Sequence, residues 1–300
     1  MLVIGQSIEC WRPPLADAVA GRDAAPLVAR GRKQADAGAA ALDVNFGAIG
    51  RPGLVGDLVW AASVLRAELP EVTLFLDCGD HDALVEAAPS VPGPIVVNAI
   101  SVPAADPALI EASATAGAGV VFSPRRADRS DDDGAILDAA QTAADMMAGS
   151  DVTGPAYLDC LTYPPATNLE RCRRSLRWVA ALRESGPARI EPLVAVGNLG
   201  HGATRERRRP LRMVYVALAA AAGAGAIILP VEDAELMSLV RALDGLHDPR
   251  SDFEAWALAL RTPDRPAKPP AGDDLRSAWE LLNGPEPTAR VTSRSARERE

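Results

Sequence analysis

The chain has only four cysteines, Cys10, Cys78, Cys160 and Cys172, scattered and nowhere arranged as CxxC. That pattern excludes a disulfide framework and reads as reduced thiols. Histidines are scarcer still: His81, His201 and His247 stand apart, no residues have metal-ligand spacing, and no bound metal is expected. No GxGxxG follows the first apolar run and no GxxxxGK[ST] occurs anywhere, so the sequence signs of dinucleotide and P-loop phosphate binding are missing. Excess positive charge is also lacking. The formal net charge is −9 over 300 residues, which gives no attraction to a phosphate backbone, and nucleic acid is not an expected partner. The arginines within residues 205–209 read as a solvated face. Residues 1–7 lack the basic region and apolar stretch of a signal peptide, so a cytoplasmic location is expected. The longest mostly apolar run, residues 213–230, approaches membrane-span length. Its seven alanines, with Gly223 and Gly225, read instead as a buried helix, a turn and a strand, and no membrane is expected.

What the chain does have is a regular alternation. Short apolar runs at residues 2–4, 41–44, 72–76, 95–97, 119–122, 156–158, 193–196 and 226–229 are the strand candidates. Between them, helical patterns span 25–37, 56–68, 81–88, 107–116, 135–147, 168–184, 209–222 and 234–243. Their apolar residues recur every three or four positions, as at Leu58, Ala61, Ala62 and Leu65. Eight such units predict an α/β fold of (β/α)8 TIM-barrel type over residues 1–262, with a last helix at 253–260 closing the barrel. A C-terminal extension follows at 263–300. It begins with a linker carrying Pro263, Pro266, Pro269 and Pro270, continues with a short helix at 275–282, and ends in a polar, largely disordered tail from 285 to 300.

In such a barrel the ligand site lies at the C-terminal ends of the strands. Four polar residues stand there: Asp77, Asn98, Asp159 and Asn198. Each alone could be a helix cap or loop stabiliser, but jointly they predict one shared site, lined by carboxylates and amides suited to a hydrogen-bonding heterocycle. The second strand adds Asp43 and Asn45, which alternation points to the same side. Ser101 and His201 follow the fourth and seventh strands at the site rim. Asp80 and Ser123 are assigned as helix caps, and Cys78 and Cys160, each directly after a strand-end aspartate, as packing under the loops.

The opening Met-Leu-Val-Ile-Gly, Ala41-Leu42-Asp43-Val44-Asn45-Phe46-Gly47, Leu76-Asp77-Cys78, Val97-Asn98-Ala99-Ile100-Ser101, Tyr157-Leu158-Asp159, Gly197-Asn198 and Glu232-Asp233-Ala234-Glu235-Leu236-Met237 together resemble the pterin-binding TIM-barrel family. Within it they are most similar to the methyltetrahydrofolate:corrinoid/iron–sulfur protein methyltransferases. The resemblance implies a pterin held by Asp77, Asn98 and Asp159, with Asn198 as the catalytic residue near the methyl-bearing N5 and Gly197 beside it at the rim. It implies tetrahydrofolate or 5-methyltetrahydrofolate as substrate, a corrinoid (cobalamin) carried by a partner protein, no metal bound by the chain itself, and a homodimer. A pterin's aminopyrimidine edge presents an amino group and a ring N–H that a carboxylate accepts as a pair, which agrees with the residues.

The resemblance lapses at the first strand, where Gly5-Gln6-Ser7-Ile8-Glu9 replaces the family's Gly-Glu-Arg and the asparagine that follows it. It also lapses at the seventh, where Ala195-Val196-Gly197-Asn198 lacks a serine. Two alternatives stand beside methyl transfer: a pterin- or folate-binding barrel without turnover, and a dihydropteroate synthase. The last is disfavoured because that resemblance requires a lysine near the end of strand seven and Arg-x-His at strand eight, where this chain has Gly197-Asn198 and Pro230-Val231-Glu232.

Overall fold

Eight parallel strands pair in sequence order, and the last pairs with the first, so the sheet closes into a (β/α)8 barrel. In this computed structural model, residues 1–47, 52–124, 134–262 and 268–283 are described. The strands are β1 (Leu2–Glu9), β2 (Ala41–Asn45), β3 (Thr73–Asp77), β4 (Ile95–Ser101), β5 (Gly119–Ser123), β6 (Ala156–Asp159), β7 (Ile190–Ala195) and β8 (Ala226–Leu229). The helices are α1 (Leu15–Ala20), α2 (Ala24–Ala37), α3 (Leu54–Glu68), α4 (His81–Ala87), α5 (Pro107–Thr115), α6 (Ala135–Ala148), α7 (Leu169–Ser185), α8 (Arg205–Ala222), α9 (Ala234–Leu243), α10 (Asp252–Ala259) and α11 (Asp273–Asn283).

The strands are buried on both faces, which is why they read as continuous apolar runs. One set of side chains, including Val44, Leu76, Val97 and Leu158, joins the helices in a large outer core. The alternate set points inward and makes a separate plug: Ile4, Ala41, Phe75, Val96, Val121, Tyr157, Leu193, Ala226 and Ile228. The interior is thus packed solid below its upper end, as in other barrels of this kind. Whatever binds must do so at the mouth.

Several expectations from sequence need correction. Strand-to-strand pairing of β1 with β8 closes the barrel, whereas α10 packs outside on α8 and α9. Ser123 does not cap α6, which Gly134 precedes; it is buried as the last residue of β5. Asp80 is a cap, its carboxylate accepting from the Ala83 amide at 3.1 Å. Helix α1 was unpredicted, being a short element between prolines, and α8 starts four residues early by running through Pro210.

The C-terminal extension does supply a helix. α11 lies on α7 and α8 with Ala278 and Leu282 buried, and the Arg173 guanidinium donates to the Leu281 carbonyl at 2.7 and 2.9 Å. The tail expected at 285–300, with Pro263 and Pro266 of the linker, falls outside the described residues. Among the described residues, no helix is long and apolar enough to cross a membrane.

Candidate functional site

The mouth is built by register. Asn45 on β2, Asp77 on β3 and Asn98 on β4 are direct neighbours across the sheet, so their side chains project inward side by side. The Asn45 amide donates to the Asp77 carboxylate in a short contact, while the Asn45 carbonyl oxygen accepts from the Gly47 amide at 2.8 Å. That second bond fixes which end of Asn45 faces Asp77. Asp43, one inward step deeper, is buried, with its Oδ1 lacking a hydrogen-bond partner among the described residues.

Burial, and then the neighbouring Asp77 charge, push the Asp43 carboxyl well above its ordinary range, with Glu9 adding a smaller push; the Asn98 and Asn45 amides pull the other way. A proton on Asp43 relieves both the cost of burying its charge and the repulsion from Asp77. Asp43, Asn45, Asp77 and Asn98 therefore form one continuous polar cluster.

Asp159 stands on the far wall. Two residues below it, Tyr157 meets Phe75, which lies two residues below Asp77, with ring centroids 5.8 Å apart. The two aspartates thus flank the same opening above an aromatic floor. Asp159 Oδ1 accepts from the Leu161 amide at 2.8 Å, which holds the carboxylate at the start of its loop.

Asn198 lies in a 3-10 turn, Val196–Gly200, directly after β7. Its Nδ2 donates to the Thr162 carbonyl at 3.2 Å. Gly197 is packed against the Gln6 side chain so closely that a Cβ there would overlap the Gln6 carboxamide. Ser101 ends β4 half-buried beside Ser123. His201 is exposed past the turn, its backbone amide donating to the Asn198 carbonyl at 3.1 Å.

Some mouth residues escaped the sequence reading. β1 runs on to Glu9 through a bulge between Gly5 and Ile8, with Ser7 held at φ 103°, a left-handed conformation that costs a serine energy. Gln6 lies in phase with Leu2 and Ile4, and its Oε1 is buried without a hydrogen-bond partner among the described residues. Glu9 pairs with Arg12 at 3.6 Å and adds its charge near Asp43. Gln6 and Glu9 thus stand on the upper part of β1, and Arg12 follows in the turn beyond the strand. The period-two signal of Leu2, Ile4 and Gln6 was available in the sequence; the bulge was not.

The thiols are structural. Cys160 is fully buried and burial raises its pKa well above the usual thiol range, and Cys172 is pushed up to about 12. All four cysteines are buried thiols, none joined in a disulfide. Among the described residues there is no cluster of histidine, cysteine and carboxylate side chains fit for a metal ion.

No family model matches the chain, and no curated protein matches it. Solved structures do. Mycobacterium tuberculosis Rv1207 is similar at 23% identity and a TM-score of 0.54, over 83% of this chain and 93% of that one. A dihydropteroate synthase from Xanthomonas albilineans, in complex with indole-2-carboxylic acid and 6-chloroguanine, is similar at 21% identity and a TM-score of 0.57, over 82% of this chain and 91% of its own. The Coxiella burnetii dihydropteroate synthase in complex with pteroic acid gives 13% identity and a TM-score of 0.54, over 82% and 93%. These likenesses establish the fold.

Proposed function

We propose that the barrel mouth binds a pterin, with Asp77, Asn98 and Asp159 as its ring contacts. The observation that carries this reading is the inward row Asn45–Asp77–Asn98 standing over the apolar plug. A flat heterocycle rests on such a floor while its edge donors meet a carboxylate already oriented by Asn45. The amino group and ring N–H of a pterin's pyrimidine edge pair with one carboxylate, and an asparagine offers both an acceptor and a donor to the remaining edge. The 6-chloroguanine and pteroic acid in two of the similar structures are ligands of this same aminopyrimidine chemistry.

Two reactions on a bound pterin remain to be separated. Methyl transfer between N5 of tetrahydrofolate and a corrinoid protein rests on the sequence resemblance, as does a homodimer, with Asn198 stabilising charge at N5. Dihydropteroate synthesis is favoured by the solved structures of similar fold, although Gly197-Asn198 and Pro230-Val231-Glu232 supply neither the lysine nor the Arg-x-His that a resemblance to that family requires. Pterin binding is common to both and is the function the geometry supports best. Calorimetric titration with 6-methylpterin tests it. Incubation with methyltetrahydrofolate and free cob(I)alamin, and separately with a dihydropterin pyrophosphate and 4-aminobenzoate, tests the two turnovers; binding with neither product would leave a pterin-binding barrel without turnover.

A further inference from the structure

A buried file of hydroxyls runs from the end of β7 out to α7. Tyr215 on α8 is fully buried, and its hydroxyl lies 2.6 Å from Ser175 Oγ and 3.1 Å from Thr162 Oγ1. Ser175 donates to the Cys172 carbonyl at 2.7 Å, and Thr162 Oγ1 accepts from the Ala195 amide at 3.1 Å.

The two ends of this file fix its direction. A carbonyl can only accept and a backbone amide can only donate, and each hydroxyl has one proton. Ser175 spends its proton on Cys172, so it must accept from Tyr215. Tyr215 has then spent its own, so it accepts from Thr162, which in turn accepts from Ala195. The order is Ala195 N–H to Thr162, Thr162 to Tyr215, Tyr215 to Ser175, and Ser175 to the Cys172 carbonyl, with every proton assigned. Burial raises the Tyr215 pKa far beyond the working range, so the phenol keeps the proton the file requires.

Thr162 is therefore pinned through its side chain to both β7 and α8. Its own carbonyl is the acceptor for Asn198 Nδ2. Because that carbonyl accepts only, the nitrogen of Asn198 faces Thr162 and its Oδ1 faces away.

From these contacts we propose that Tyr215 is a positioning residue for the mouth: acting through Thr162, it fixes the placement and orientation of the Asn198 side-chain amide. It touches no ligand itself. The ligand half of this statement rests on the pterin reading; the free-protein half does not.

The experiment uses the full chain labelled with 15N-asparagine, whose five asparagines give five side-chain amide signals. Tyr215→Phe keeps the ring and removes only the hydroxyl. The Asn198 amide signal should shift and broaden in that variant while those of Asn45 and Asn98 stay in place. Thr162→Val should reproduce the shift, and Thr162→Ser, which keeps the hydroxyl, should restore the wild-type position. If Tyr215→Phe does not fold, Ser175→Ala, which removes the acceptor of the Tyr215 proton, serves as the second variant with the same expectation. An Asn198 signal that is unmoved in Tyr215→Phe or Ser175→Ala, or one that moves together with those of Asn45 and Asn98, overturns the proposal.

In the second arm, 6-methylpterin should shift the Asn98 and Asn198 signals of the wild type. In Tyr215→Phe it should shift Asn98 alone, with affinity reduced by about two- to tenfold. If 6-methylpterin moves no asparagine signal of the wild type, the pterin reading fails, and the free-protein arm decides the positioning role by itself.

Discussion

Phe75 and Tyr157 meet across the barrel axis with ring centroids 5.8 Å apart, and this contact sets the depth of the mouth. Each ring lies one inward step beneath an aspartate, Asp77 on one wall and Asp159 on the other. A ligand held between the two carboxylates therefore has these rings as its floor. Phe75 is fully buried in the plug. Phe75→Ala should cost about 3–5 kcal/mol of stability, read by urea denaturation, and should weaken pterin binding by lowering the floor.

The buried Asp43 makes a pH prediction. Its folded-state pKa lies well above the ordinary 3.8, so the folded chain holds this proton more tightly than the unfolded chain does. The resulting stabilisation is complete below the unfolded value and is lost as pH rises through the folded one. Asp43→Asn has no proton to lose. Between about pH 4 and about pH 8 its unfolding free energy should fall less than that of the wild type, as denaturant midpoints measured across that range would record.

Gly197 is a steric prediction. A methyl group there must displace the Gln6 carboxamide, so Gly197→Ala should cost about 1–3 kcal/mol by overpacking. Adding Gln6→Ala should recover most of the loss, because it removes the atoms that the methyl group meets. Thermal unfolding of the two single variants and the double variant checks this non-additivity.

Arg173 holds the C-terminal extension in place. It is buried and donates twice to the Leu281 carbonyl. Arg173→Ala should release α11 from α7 and α8, seen as faster hydrogen exchange in residues 273–283, with pterin affinity unchanged because α11 packs on α7 and α8 whereas Asn45, Asp77 and Asn98 stand on β2, β3 and β4.

The barrel was legible in the sequence because its strands and helices announce themselves by different periods. Eight apolar runs separated by helical patterns leave few other closed arrangements, and every strand candidate was found. The polar row was legible for the same reason: Asp43, Asn45, Asp77 and Asn98 fall on inward positions fixed by alternation. The extension of β1 was hidden by the bulge at Gln6 and Ser7, which breaks the period that the reading relied on. Thr162, Ser175 and Tyr215 were hidden more deeply. They lie on a loop and two helices far apart in sequence, and only the packing of α7 and α8 against β7 brings their hydroxyls together. His201 follows β7 as the sequence said, but the 3-10 turn carries it out to solvent. Ser123 was misread as a cap by residue type alone, although the helical pattern after β5 starts at 135, where α6 begins.

The central claim is that Asp77 receives the donor edge of a pterin. The most direct measurement is the affinity of 6-methylpterin for the wild type and for Asp77→Asn, by calorimetry at neutral pH. Removing one charged acceptor from a partly buried pair should weaken binding by about ten- to hundredfold, with the fold intact by circular dichroism. Equal affinity in the two proteins, or no binding by the wild type, would contradict the account.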